Sequence, residues 1–569
     1  MQGSFPGGCA QRLRFIIEIN INIIARMVRS APDLRFPERS AMNRRDFLKA
    51  ATATATATVA APRLASAAGE KVLTFVPQSD LTLLDPVQTT GLVTRNHALL
   101  VFDTLYGVDE RFEAQPQMVA GHEIDRDGLR WTLTLRDGLK FHDGERVLAR
   151  DAVASIKRWW SRDVFGGDLR NATAELSATS DNTIVFDLKK PFPLLAYALG
   201  KPSSVCPVMP ERLALTPGTE QVKEMIGSGP FQFVPDERIV GSQVVYKRFD
   251  GYVPRPSGTA SFMAGPKTVH LDRVIWRVLP DAATAAAALQ VGEVDWWEQP
   301  TPDLLPLLAK RGNIKVEVKD TGGYLAMIRL NHLVPPFDNP AIRRAILSAI
   351  SQTEFMTAVM GTNGNFWKDN VGFFLPASPF ANDAGMDVFA GAPDYARAKR
   401  DLQAAGYKGE RIVFVVPADL HALNSMSLVA ADMFKKIGLE VDYQVSDWGT
   451  VLQRIASQRP LDQGGWSAWC NYVPGASAIN PAAHSYLRGI GKAGTFGWPS
   501  SEKIEALRLA FLSAQDDKER QRLVRDIQAQ AMQDTPYLPL GYFAQPAAYS
   551  QKLSDIPLGF SQFYGVKKA

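Results

Sequence analysis

Trp131-Thr-Leu-Thr-Leu-Arg-Asp-Gly-Leu-Lys-Phe-His-Asp-Gly144, with Ala149-Arg-Asp-Ala-Val153 and Lys157-Arg-Trp159 close behind, is the stretch whose reading decides the fold. From Arg130 to Arg136 apolar and polar residues alternate with period two, which puts Trp131, Leu133 and Leu135 on one sheet face. Asp137-Gly138 and Asp143-Gly144 are turn formers, and Ala149 opens a predicted helix that runs through Trp160. A second alternating strand, Thr183 to Leu188, ends at Pro191-Phe192-Pro193. Turns rather than helices join these strands, so the region 109–222 is predicted to be mainly antiparallel.

Outward from this region the pattern changes. Val72 to Val76 reads as a strand and Thr94 to Leu105 as a helix; Gln243–Lys247 and Val274–Val278 are further strands, and an alanine-rich helix, Asp281–Gln290, stops before Gly292. Asn339-Pro340 supplies an N-cap followed by proline at the first helical position. Beyond it, the helix Tyr395–Ala405, the strand Arg411–Val416, the helix Leu423–Ile437, the strand Leu439–Val445 and a helix after Asp447 alternate. Gly406 and Gly438 stand at two of the helix ends, and the whole is the grammar of an α/β lobe. Two charged amphipathic helices, 501–513 and 517–533, precede a short final strand. At 569 residues the chain exceeds what one core supports, so more than one lobe is expected.

The formal net charge of +4 is unevenly placed. Residues 1–67 carry ten Lys and Arg against four Asp and Glu, which leaves the remainder at −2. With no basic stripe there, nucleic acid is not an expected partner. Arg44-Arg45-Asp-Phe47-Leu48-Lys49, an Ala/Thr run over 50–61 and Ala65-Ser-Ala67 form a charged region, an apolar region and an A-x-A cleavage site in order. This predicts a twin-arginine signal peptide over 42–67 and export to the periplasm, with residues 1–41 an extension ahead of the true start at Met42. No cysteine follows the cleavage site, so lipid anchoring is not expected. Cys206 and Cys470 could pair after export, but buried free thiols are the commoner case.

The segment quoted first closely resembles the signature of the extracellular solute-binding protein family 5, the oligopeptide-, dipeptide- and related binding proteins of ABC importers. Leu84-Asp85-Pro86, Gly227-Ser-Gly-Pro-Phe231, Gly292-Glu-Val-Asp295 and Asn331 through Pro335-Pro-Phe-Asp-Asn-Pro-Ala-Ile-Arg-Arg344 match in the same order. The resemblance covers about 70–565. It implies an α/β fold of the periplasmic binding protein type II class, cluster C-like, with two lobes joined by crossing strands and an extra subdomain. Lobe I would combine 70–108, 223–322 and 541–569, the subdomain would be 109–222, and lobe II 323–540. It also implies capture of a peptide, a peptide-like compound or another small organic solute between the lobes, and delivery to membrane permease subunits driven by a separate ATPase. No cofactor is implied, and a monomer is expected.

The residues themselves offer little chemistry. Seven histidines are scattered without metal-ligand spacing, and no nucleophile elbow, phosphate loop or dinucleotide fingerprint occurs. His142, between the two Asp-Gly turns, reads as a locally hydrogen-bonded turn residue, and Glu293 and Asp295 as surface or capping charges rather than an acid and base. An enzyme is therefore not expected; a secreted hydrolase and a ligand sensor without transport are the alternatives. The informative side chains are aromatic, because indole offers a broad apolar face with one donor. Trp297, Trp367, Trp466, Trp469 and Tyr324, with Asn471, are the candidate ligand-binding residues, against the alternative that most such rings are ordinary core. In peptide-binding members of the resembling family, a carboxylate three residues after the tryptophan matching Trp466 pairs with the ligand's amino group. That place is Trp469 here, which argues against recognition of a peptide amino terminus.

Overall fold

The computed structural model describes residues 69–569; Arg44, Arg45, Phe47 and Leu48, predicted to belong to a signal peptide, lie outside them. The strand Arg130–Leu135 buries Trp131, Leu133 and Leu135, as its alternation requires. It pairs antiparallel with Val119–Asp125 on one side and Thr183–Leu188 on the other, and Thr173–Ala178 completes a four-stranded sheet.

Two larger sheets make up the rest of the framework. The first has seven strands in the order Ile314–Glu317, Ala547–Ser550, Trp296–Trp297, Val72–Val76, Arg273–Arg277, Gln243–Arg248 and Phe231–Phe233. The second has six, in the order Trp367–Lys368, Leu538–Phe543, Tyr324–Leu330, Ala468–Pro474, Arg411–Pro417 and Glu440–Ser446. The chain passes between them twice, through 318–323 and through 544–546. The strand Leu538–Phe543 belongs to the second sheet throughout, so the later changeover falls just past the boundary expected at 541.

The recurring motifs interlock as framework. Asp85 receives Arg158 through both guanidinium nitrogens, Nη1 at 3.1 Å and Nη2 at 2.7 Å, and also accepts the Val222 amide at 2.9 Å. Asp295 accepts the Thr74 amide at 2.8 Å and pairs with Lys568 at 2.7 Å, fixing the C-terminus to the first sheet. Arg343 meets no carboxylate and instead donates to the carbonyls of Phe337, Asp534 and Thr535, capping the end of the helix Asp517–Asp534. His142 lies on the Gly227–Gly229 loop: its Nδ1 accepts the Gly227 amide at 3.2 Å and its Nε2 donates to the Gly229 carbonyl at 3.0 Å. That arrangement needs a neutral ring, and burial holds His142 down at about 4.

The same loop ends a helix early. The helix predicted over Thr94–Leu105 runs from Leu92 to Val101, where the Gly229 amide donates to the Val101 carbonyl at 2.9 Å. A Cβ at Gly227 would stand 2.0 Å from that oxygen, and one at Gly229 would stand 2.6 Å from the Leu100 carbonyl, so only glycine permits the approach. Cys206 and Cys470 are buried and unpaired, and burial pushes the Cys470 thiol up to about 12.

Candidate functional site

The first changeover segment is tied to the strand that leads into the second, because the Tyr542 hydroxyl donates to the Thr321 carbonyl at 2.8 Å. Here the predicted residues divide. Tyr324 opens its strand on the second sheet, and its hydroxyl accepts from Gln299 Nε2 of the first sheet's side at 2.8 Å. Its ring sits 5.0 Å from Tyr472 and 5.2 Å from Phe543, and burial holds its phenol well above the ordinary range, so it is a neutral hydroxyl. Trp367 pairs with Phe543 in the neighbouring strand and is half-buried, its Nε1 donating to the Gly361 carbonyl at 3.0 Å. Asn471 is buried and donates to the Tyr486 hydroxyl at 3.3 Å.

The other tryptophans belong to the packing. Trp466 is wholly buried and donates to the Ile455 carbonyl at 3.1 Å, which completes its polar needs within the core. Trp297 lies in the apolar cluster of Ala285, Ala286, Leu289 and Val294, where it packs a helix on the first sheet. Trp469 is 2% exposed among Val413, Val415, Val451, Ile455 and Trp466, with Trp448 at 5.9 Å. Its indole N–H has no partner among the described residues.

A set of residues that the sequence analysis did not single out lies between the sheets. Arg95 is on the first turn of the helix Leu92–Val101, whose first residue, Leu92, packs against the apolar cluster of the second sheet. The Arg95 side chain is buried, with its Cζ 3.7 Å above the Phe560 ring. Its Nε and Nη2 donate to Asn96 Oδ1 at 3.2 and 3.0 Å, and it makes no salt bridge with a described residue. Glu298 accepts three hydrogen bonds, from the Gln78 amide at 2.8 Å, Asn96 Nδ2 at 2.7 Å and the Ser561 hydroxyl at 3.0 Å. Asp320, in the changeover segment, accepts the Gly322 amide at 3.0 Å. Burial weakens the hold of Arg95 on its proton, opposed by Asp320, Tyr324 and Glu298, and burial likewise raises both carboxyls. The available signal was Leu92-Val-Thr-Arg-Asn-His-Ala-Leu-Leu-Val101: a helix apolar enough to be buried all round carries Arg95 and Asn96 only where they have a use.

Among the described residues no group of three His, Cys, Asp or Glu side chains could hold a metal ion, and no helix is long and apolar enough to cross a membrane.

Compared with known proteins, residues 113–487 match the family model described as bacterial extracellular solute-binding proteins, family 5 Middle. The chain is 35% identical over 538 residues to the probable peptide ABC transporter periplasmic-binding protein y4tO of Sinorhizobium fredii (strain NBRC 101917 / NGR234), covering 93% of this chain and 100% of that one. It is 24% identical over 494 residues to the glutathione-binding protein GsiB of Salmonella typhimurium, covering 84% and 90%. Two solved structures share its fold. The oligopeptide-binding protein AppA from Bacillus subtilis, in complex with a nonapeptide, has a TM-score of 0.73 at 20% identity over 88% of this chain and 99% of that one. The binding protein AgaA of A. tumefaciens R10, in complex with agropinic acid, has a TM-score of 0.72 at 19% identity, with the same coverage.

Proposed function

The chain belongs to family 5 of the bacterial extracellular solute-binding proteins, and we propose that it captures a small organic solute between its two lobes and delivers it to the membrane permease subunits of an ABC importer. The observation that carries this reading is the junction of the two sheets, which the chain links through 318–323 and 544–546 and where Gln299 on the first sheet's side donates to Tyr324 of the second. A ligand touching both sheets stabilises the closed arrangement by the contacts it adds to the second. Energy for transport comes from a separate ATPase, and no catalytic step is assigned to this chain.

The working division is lobe I from 70–108, 223–322 and the residues after 546, the antiparallel subdomain 109–222, and lobe II from 323 to about 543; the sheet memberships support it. Tyr324, Trp367 and Asn471 are the ligand-wall residues this reading retains. The twin arginines Arg44-Arg45 route the chain to the periplasm, a reading that rests on the order of leader, apolar run and A-x-A site.

Native mass spectrometry of gently purified protein tests the proposal. Small molecules should leave the protein on unfolding and, added back, should raise its melting temperature; at 100 times the dissociation constant a ligand adds about 2.7 kcal/mol. A protein that releases nothing and responds to no small-molecule extract contradicts it.

A further inference from the structure

We propose that Arg95 is the anchor for a carboxylate of the captured solute. This rests on the solute-capture reading above and names the chemistry of the same cleft.

The other buried guanidiniums of this molecule have carboxylates or several carbonyls in contact: Arg488 and Arg508 share Asp168 and Glu505, although each leaves its Nη1 without a hydrogen-bond partner. Arg158 has both oxygens of Asp85. Arg329 has the carbonyls of Phe496, Tyr486 and Pro536, and Arg343 has three carbonyls of its own. Each of these is answered by oxygen on more than one side, as burial of a charge demands. Arg95, at 7% exposure, has one acceptor only, the side-chain oxygen of its neighbour Asn96, reached through Nε and Nη2. Its Nη1 has no acceptor among the described residues, and one face of the guanidinium is covered by Phe560. The planar fork is thus held still by stacking and by Asn96 while a hydrogen-bonding edge remains unused, the geometry in which arginine takes a carboxylate.

The surroundings point the same way. The helix that carries Arg95 begins at Gly91 without a side-chain cap, so the positive end of the helix lies in the turn of the guanidinium. Glu298 and Asp320 are close enough to act on Arg95 electrostatically, yet neither is in contact with it. Glu298 is already committed to three donors, whereas Asp320 accepts only backbone amides.

The probe is a protein-free small-molecule extract of the producing bacterium, half of it treated to convert carboxylates to methyl esters. Melting temperature is followed against dilution of each half for the parent protein, Arg95→Gln and Arg95→Lys, after circular dichroism has established that the variants are folded. The untreated extract should stabilise the parent, the esterified extract should not, and Arg95→Gln should need roughly 30-fold more extract or fail to respond. Arg95→Lys should retain a weaker response, because the charge stays and the fork is lost. An esterified extract that stabilises the parent as well as the untreated one overturns the proposal, as would an anion such as phosphate that survives the treatment. An Arg95→Gln response equal to that of the parent overturns it too. If neither half moves the parent, the solute-capture reading itself fails and this inference falls with it.

Discussion

Two groups of charges sit where separate parts of the molecule come together, and they are built on opposite terms. In the first, Asp168 of the antiparallel region, on the helix Val164–Ala172, is hydrogen-bonded by Arg508 of the helix Glu502–Ser513 and has Arg488 at 3.6 Å. Arg488 in turn pairs with Glu505 at 3.0 Å, and Arg508 also donates to the Pro481 carbonyl at 3.1 Å. Two guanidiniums and two carboxylates touch, and their charges cancel. In the second group Arg95 approaches Asp320 and Glu298 without touching either, and its acceptor is an amide oxygen. Arg488 and Arg508 each leave an Nη1 without a hydrogen-bond partner, but their charges are met by carboxylates in contact; Arg95 has no carboxylate in contact among the described residues, and its charge is available to one that arrives.

The sharpest way to break this contrast is Arg508→Met. Removing one member of the group takes the hydrogen-bonded guanidinium from Asp168 and leaves it only Arg488 at 3.6 Å, and urea unfolding should show a loss of about 3 kcal/mol. A variant as stable as the parent would put both groups on the same footing. Trp469→Asp comes next: a carboxyl placed among Val413, Val415 and Trp466 should cost at least about 3 kcal/mol, from lost packing and burial of a polar group. Unchanged stability together with a gained affinity for a free dipeptide would move position 469 from the core to the ligand.

The acid limb of the stability curve provides a third comparison, between framework and cleft. His142 is pushed from its ordinary 6.5 to about 4 in the folded protein, so between those values the unfolded chain binds the extra proton. Its contribution is complete above about pH 6.5 and is lost as the pH falls to about 4, on the order of 3 kcal/mol across the window. His97 and His484, held at about 3, extend the same slope downward. His142→Gln should flatten the slope between pH 6.5 and 4 relative to the parent; an unchanged slope would remove the ring from the Gly227–Gly229 loop in this account. The smallest effect is expected for Arg95→Gln, whose removal costs the fold no ion pair and should change unfolding stability by no more than about 1 kcal/mol. A loss as large as that of Arg508→Met would make Arg95 a structural residue.

The framework was legible because its determinants are local. Asp281, Asn339, Asp447 and Ser501 cap the helices that follow them by accepting amides of the first turn, and Gly292 takes the left-handed conformation that ends its helix. Alternation at Arg130–Leu135 and Thr183–Leu188 fixed faces that the antiparallel sheet then buries. The changeover at 544–546 was misplaced slightly because Leu538–Phe543 is buried at every position and offers no alternation to mark which sheet it joins. The cleft was less legible. Aromatic density drew attention to Trp297 and Trp466, yet a ring that fills a core and a ring that lines a wall have the same composition; only their neighbours in space separate them. Arg95, Glu298 and Asp320 are far apart in sequence and come together through sheet topology, so no spacing in the chain announces them.

The central claim is that the two sheets close over a solute about 318–323 and 544–546. Small-angle X-ray scattering on protein stripped of bound solutes, before and after addition of the native small-molecule extract, measures that closure most directly. The account predicts that the radius of gyration falls for the parent and stays at its starting value for Arg95→Gln. A radius that does not change for the parent while its melting temperature rises would show binding without closure and contradict the claim.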